Sequence, residues 1–187
     1  AVIIAAGVGA FTPRRPPLAG IGDFEGGPEG VGVHYAVHDP NAYDGRRVVI
    51  AGGGDSAVDW ALALAGKAAA IFMVHRRDKF RAADALVARL RELAAAGAVE
   101  LVVPYQLKAL EGAGGRLSAV EVADAAGNLR RIEADALLPF FGLAQALGPI
   151  ADWVPELTDG HVVVDPATAM TALPGLFAIG DVSTYPG

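Results

Sequence analysis

No cysteine occurs among the 187 residues. Structural disulfides, thiolate metal sites and dithiol redox chemistry carried by this chain are therefore excluded. Charge is also sparse. Asp, Glu, Lys and Arg make up 19% of the residues and the net charge is −6, so the chain has no basic footprint for nucleic acid. No apolar run reaches the roughly 20 residues of a membrane-spanning helix. No secretory-signal pattern, internal repeat or low-complexity tail is present. The four histidines lack metal-ligand spacing, so no metal site is expected. Apolar residues, by contrast, make up 53% of the chain. That composition and length suit a globular chain of one domain or a little more, with a sizeable core and an expected cytoplasmic location.

The densest information lies between Val48 and Arg81, VVIAGGGDSAVDWALALAGKAAAIFMVHRRDKFR. An apolar strand runs into Gly52-Gly53-Gly54, a helical stretch opens at Asp55, and a second apolar strand, Ile71 to Val74, ends on His75-Arg76-Arg77. The pattern is a βαβ unit with a glycine-rich first turn. Gly52 allows the turn out of the strand. Gly54 leaves room for a pyrophosphate against the backbone, and Ala57 takes the small position where helix and strand pack closely. Asp55 and Ser56 suit a helix start, whose free N–H groups and positive dipole end would face phosphates. A ligand-free tight turn shares the G-x-G-x-x-A spacing; the strand before it and the helix and strand after it favour a dinucleotide.

The second strand discriminates between dinucleotides. An NAD site places an acid near that strand's end, about 20 residues beyond the glycines, for the ribose 2′-OH. Positions 71 to 75 are Ile, Phe, Met, Val and His, and Arg76, Arg77 and Arg81 follow. Strand-end arginines are often only solvated charges. Arg76, however, stands 24 positions beyond Gly52 (76 minus 52). There a guanidinium fork suits a 2′-phosphate dianion, which favours NADP. Asp78 lies past the strand end.

The remainder alternates between strand and helix. Val2 to Ala6 reads as a strand ending in Gly7, and residues 13–32 as a Pro/Gly-rich connection. Phe80, Ala83, Leu86, Leu90 and Leu93 share one helical face, which Gly97 can end. Val99 to Val103 reads as the next strand of the unit. Gln106–Leu110, Leu117–Val122 and Leu129–Ile132 read as an antiparallel meander, with turns at 112–115 and 125–128. Ala136 to Phe141 returns to the sheet, where Pro139 implies an edge or a strand end. The expected fold is α/β: a Rossmann-like three-layer NADP-binding domain, with a parallel sheet plus an antiparallel meander. The chain opens within a strand without Met and closes soon after another, Leu176 to Ile179, followed by Gly180-Asp181. It reads as an excerpt of a larger protein.

Six segments, in order, resemble the thioredoxin-reductase-like flavoenzymes, most closely their ferredoxin/flavodoxin–NADP+ reductase branch. They are AVIIAAGVGAFTPRR (1–15), VHYAV (33–37), VVIAGGGDSAVDWAL (48–62), HRRDKFRA (75–82), LGPIADW (147–153) and GLFAIGDVSTYPG (175–187). The resemblance implies an FAD/NAD(P)-binding fold with the NADP domain inserted in the FAD domain. Residues 1–20 and 166–187 would be FAD-domain flanks around an NADP-binding domain at 21–165. By the same resemblance, Gly52, Gly54 and Ala57 match the NADP fingerprint. His75, Arg76, Arg77 and Arg81 match the 2′-phosphate signature. Asp59 matches an acid facing the nicotinamide end, and Gly142 a glycine at the last NADP-domain strand. Gly7, Gly180 and Asp181 match the flavin turns.

Two departures from that family matter. Where thioredoxin reductases carry C-x-x-C, alignment on Gly52 places Tyr35 and His38, so the dithiol route is closed and the ferredoxin/flavodoxin branch is favoured. The FAD glycine segment and the helix covering the flavin have no counterpart, so FAD retention by this chain alone is not expected. The resemblance implies a parent flavoenzyme, FAD-containing and homodimeric. It would move electrons between NADPH and ferredoxin or flavodoxin, with the two inter-domain crossings as hinges. No general base or nucleophile is expected, because hydride transfer needs neither. Two readings stand beside it: a non-catalytic NADP-binding module, and a cysteine-free flavoprotein of this fold serving another acceptor.

Overall fold

A computed structural model describes residues 1–7 and 10–184, with backbone only for Ala10, Phe11, Gln145 and Ala146. The strands β1 (Val2–Ile4), β2 (Ala10–Pro13) and β3 (Gly32–Val33) precede β4 (Arg47–Gly52). Helix α1 (Asp55–Leu64), β5 (Ala70–Val74), α2 (Asp84–Ala95) and β6 (Glu100–Val102) complete two crossovers. Then come β7 (Gln106–Ala113), β8 (Arg116–Ala123), β9 (Leu129–Glu133) and β10 (Ala136–Phe140). The last strands are β11 (Leu143–Ala146), β12 (Leu157–Thr158), β13 (His161–Val162) and β14 (Leu176–Ala178). The chain divides into two compact units, residues 15–141 and residues 1–14 with 142–187.

The first unit is built on a parallel sheet of order β3-β10-β4-β5-β6. Its central strand β4 is buried on both faces, and the period-two side chains divide between two cores. Val48 and Ile50 pack with Ala57, Val58, Ala61 and Leu64 of α1 and Leu90 of α2. Val49 and Ala51 join Leu117, Val120, Val122 and Ile132 of the antiparallel sheet β7-β8-β9. Helices, parallel sheet and meander therefore form three layers, the expected architecture. On α1 the buried positions 57, 58, 61 and 64 form one stripe. Full burial of each Val or Leu side chain contributes about 1.5–3 kcal/mol.

Pro139 fits its strand because β3 is short. The carbonyls of Asp135 and Leu137 accept from Gly32 and His34 on the β3 side. Pro139 faces that same side beyond the last of these bonds, where a missing N–H costs no ladder partner. At the opposite end of β10, Arg47 Nη2 donates to Asp135 Oδ1 (2.8 Å) and the Arg47 backbone N–H to Oδ2 (2.9 Å), tying the starts of β4 and β10 together.

Several boundaries differ from the sequence reading. Helix α2 begins at Asp84, so Phe80 and Ala83 precede it; the N–H groups of Arg81, Ala82 and Ala83 are bonded outside the helix. Its end follows the expectation: Gly97 has φ 75°, with the N–H of Ala98 on Leu93 O and that of Gly97 on Ala94 O, a Schellman closure. Strand β7 extends to Ala113 because Gly112 pairs with Leu117 after a register shift, leaving Gly114-Gly115 as the turn.

In the other unit, β1 pairs in parallel with β14, β2 antiparallel with β11, and β12 antiparallel with β13. Ile4, Val162, Val164, Leu176, Ala178 and Val182 form its core. The β2–β11 pairing draws residues from 142 onward into this unit, so the two compact units divide at 14/15 and 141/142. Among the described residues no helix is long and apolar enough to cross a membrane.

Candidate functional site

Strand β4 has β5 on one side and β10 on the other, and the chain leaves β4 toward β5 but returns at β10. This is the topological switch point at which open α/β sheets bind ligands, beyond the carboxyl ends of the strands. Gly52 lies there, in register with Phe140 at the end of β10. A Cβ on Gly52 would stand 2.6 Å from the Phe140 carbonyl oxygen and 2.9 Å from the Ala57 Cβ, so both Gly52 and the small Ala57 are sterically required. Gly54 differs from Gly52. It caps α1 with an extended backbone, and a Cβ there would meet no atom within 4 Å. The space over Gly54, at the end of α1 with unsatisfied N–H groups, is the cradle a pyrophosphate needs.

Gly54, not Asp55, is the N-cap, and Asp55 and Ser56 are the exposed first residues of α1. The Asp55 carboxylate reaches across to residue 83, where Oδ1 accepts the Ala83 N–H at 2.9 Å. Asp59 is exposed one turn further on.

The segment 75–83 is held against the glycine turn. The Gly53 carbonyl accepts the N–H groups of Arg81 (2.6 Å) and Ala82 (3.2 Å). His75 stacks on Phe80, with centroids 5.2 Å apart and planes at 26°. Its imidazole also lies over Gly53, where an added Cβ would be 2.7 Å from Nδ1. Burial holds His75 below the ordinary histidine value against a bond to the Lys79 backbone, and the positive charges of Arg76, Arg81 and Arg77 depress it further. His75 is thus a neutral packing group at neutral pH, within the field of the three arginines.

Arg76, Arg77 and Arg81 are exposed, and among the described residues no carboxylate forms an ion pair with any of them. Arg15, Arg47, Arg89, Arg130 and Arg131 each have a carboxylate partner, whereas Arg14, Arg46, Arg91 and Arg116 share the lack of one among the described residues. The sequence reading brought together Gly52, Gly54, Asp55, Ser56, Ala57, His75, Arg76, Arg77 and Arg81. Gly53 and Phe80 were not among the expected residues; the only signals for them were the place of Gly53 between two other glycines and an aromatic just before Arg81.

The remaining candidates lie in the other unit. Gly142 has φ 85° and gives its carbonyl to the Arg14 N–H at 3.0 Å. Gly7 and Gly180, with φ 57° and 78°, follow the parallel neighbours β1 and β14, and Asp181 is exposed beside Gly180. Two glycine turns beyond adjacent parallel strands suit a second nucleotide site. Val8, Gly9 and residues 185–187 of the matched segments lie outside the described residues. Tyr35 and His38 carry no redox pair. The Tyr35 hydroxyl donates to Glu25 Oε1 at 2.5 Å, and burial raises its pKa well above the ordinary tyrosine value.

A family model described as pyridine nucleotide-disulphide oxidoreductase matches residues 1–187. The chain is 60% identical over its whole length to a ferredoxin–NADP reductase of Granulibacter bethesdensis, covering 53% of that protein. It is 59% identical to one of Acidiphilium cryptum, covering all of the chain and 54% of the relative. The chain thus spans about half the length of the curated relatives it matches. Its structure resembles Lactococcus lactis thioredoxin reductase in the FR conformation, with a TM-score of 0.79 at 24% identity. That match covers 99% of this chain and 58% of the other, and it bears on the fold alone.

Proposed function

Because the chain belongs to the pyridine nucleotide-disulphide oxidoreductase family, we propose that it is the NADP(H)-binding part of an FAD-dependent oxidoreductase working between NADPH and ferredoxin or flavodoxin. The observation that carries this reading is the pairing of an open cradle at Gly54 with a basic segment fastened to Gly53. The cradle suits a pyrophosphate. Arg76, Arg77 and Arg81 lie in that segment without carboxylate partners among the described residues, as recognition of a 2′-phosphate requires.

When bound, the dinucleotide supplies or takes up a hydride and flavin passes its two electrons on singly. The chain's own residues bind and orient. The N–H groups at the start of α1 would hold the pyrophosphate, the guanidiniums of Arg76, Arg77 and Arg81 would hold the 2′-phosphate, and Asp59 would lie toward the nicotinamide end. Gly7, Gly180 and Asp181 would be the flavin-side residues in this reading, and Gly142 the glycine that follows the last strand of the NADP-binding part. The domain flanks belong to the FAD domain, and the whole protein is a homodimer. The lack of cysteine in this chain argues against its reducing a disulfide with a dithiol of its own. The high identity to ferredoxin–NADP reductases supports a one-electron carrier as acceptor.

The test is anaerobic reduction of the flavin-loaded full-length protein by NADPH and by NADH, followed at the flavin band, with ferredoxin or flavodoxin then added. Fast bleaching by NADPH alone, and reoxidation by the carrier, is the expected result. Equal rates with both donors, or no transfer to either carrier, overturns the proposal.

A further inference from the structure

Asp55 presents a problem of charge. A carboxylate in the first turn of a helix stabilises the dipole, yet here it stands beside the position a pyrophosphate would occupy. Its hydrogen bond suggests why an acid is there. Ala83 is the N-cap of α2 and has no side chain to cap it. The third position of α2 is Leu86, which cannot reach back to the Ala83 N–H as a capping-box glutamate would. Asp55 takes over that second task from another helix, with Oδ1 on the Ala83 N–H at 2.9 Å. The C-terminal end of segment 75–83 is then fastened at two points, the Gly53 carbonyl of the glycine turn holding Arg81 and Ala82 and Asp55 at the start of α1 holding Ala83, while at the other end the His75 backbone is bonded to Val102 and Tyr105.

We infer that Asp55 is a positioning residue for dinucleotide selectivity: its carboxylate holds the Ala83 N–H and thereby keeps the arginine-bearing segment 75–83 on the glycine turn. The inference rests on reading this site as one for NADP. Arg76, Arg77 and Arg81 have no other anchor among the described ion pairs, so their placement depends on the backbone of their segment. Without the Ala83 tie the C-terminal end of the segment would rest on the Gly53 carbonyl alone; the guanidiniums would then spread over more positions, and an entropic cost would fall on 2′-phosphate binding. NAD lacks that phosphate and would be nearly indifferent.

Three variants separate the bond from the charge. Asp55→Ala removes the acceptor. Asp55→Asn keeps an oxygen able to accept the same N–H but removes the charge. Ala83→Pro removes the donor, leaves every charge in place, and suits the observed φ of −54°. Each protein is titrated calorimetrically with NADP+ and with NAD+, after a thermal melt shows it folded. Asp55→Ala and Ala83→Pro are each expected to lower the NADP+/NAD+ affinity ratio by about tenfold, the scale of one hydrogen bond to a charged group. The double variant should fall no further than either single one. Asp55→Asn should keep the wild-type ratio. A ratio unchanged in both Asp55→Ala and Ala83→Pro overturns the inference. So does a fall in Asp55→Asn as large as in Asp55→Ala, which would assign the effect to charge. If Asp55→Ala melts below the working temperature, Ala83→Pro and Asp55→Asn decide by the same criteria. A wild-type protein that does not prefer NADP+ overturns the NADP reading itself, a separate result from a preference that the variants leave intact.

Discussion

The imidazole of His75 occupies the space a side chain on Gly53 would need, with Nδ1 2.7 Å from the position of a Cβ. The obstructing atoms are a ring stacked on the buried Phe80 rather than the end of a flexible chain, so they cannot easily give way. The central glycine of the turn and the first residue of the basic segment are therefore complementary in shape. Gly53→Ala should displace His75, lower stability by about 1–3 kcal/mol as overpacking does, and weaken NADP+. A melt and an NADP+ titration check both; an unshifted melting temperature would show that the ring swings aside freely.

Gly54→Val tests the other glycine. Nothing lies within 4 Å of a Cβ there, so the fold should lose only about 1 kcal/mol through poorer capping. Both NADP+ and NAD+ should nevertheless bind much more weakly, because the branched side chain fills the pyrophosphate space. Retained binding of either dinucleotide, measured by titration, would remove the phosphates from this turn.

Arg76→Ala should weaken NADP+ by about 1–3 kcal/mol through loss of a charge-assisted contact, with NAD+ nearly unchanged. Because Arg76 is exposed, the melting temperature should not move. An equal loss for both dinucleotides would detach Arg76 from the 2′-phosphate.

His75 adds a pH dependence. Its folded pKa lies below the ordinary value of 6.5, chiefly through burial. The unfolded chain therefore takes up the proton first, so this contribution to stability is whole above about 6.5 and is lost as pH falls toward the folded value. Melting temperatures recorded from pH 8 downward should decline through that window, and His75→Gln should flatten this part of the curve. A wild-type curve that stays level through it would mean the imidazole is not held neutral.

The βαβ unit was legible in the sequence because its signals are local. Strand β4 holds the unbroken apolar run Val48 to Ala51, α1 shows a helical stripe, and Gly52 and Ala57 meet at close quarters. The three extended runs after residue 105 likewise emerged as one meander. What escaped reading was set by tertiary bonds. The apolar spacing of Phe80 and Ala83 suits a helix, yet Ala83 is non-helical (ψ 140°) and α2 starts only at Asp84, while the N–H groups of residues 81 to 83 go to Gly53 and Asp55. Gly53 has no sequence signature beyond standing between two other glycines, because its role depends on a ring 22 positions away (75 minus 53). The unit division at 141/142 depends on β11 pairing with β2 across most of the chain, which no local pattern encodes.

A basic segment fastened to the glycine turn should recognise a 2′-phosphate. Parallel calorimetric titration of the protein with NADP+ and NAD+ decides whether it does. NADP+ should bind more tightly by at least about tenfold, on the scale of one charge-assisted contact. Equal affinities, or a preference for NAD+, would contradict it.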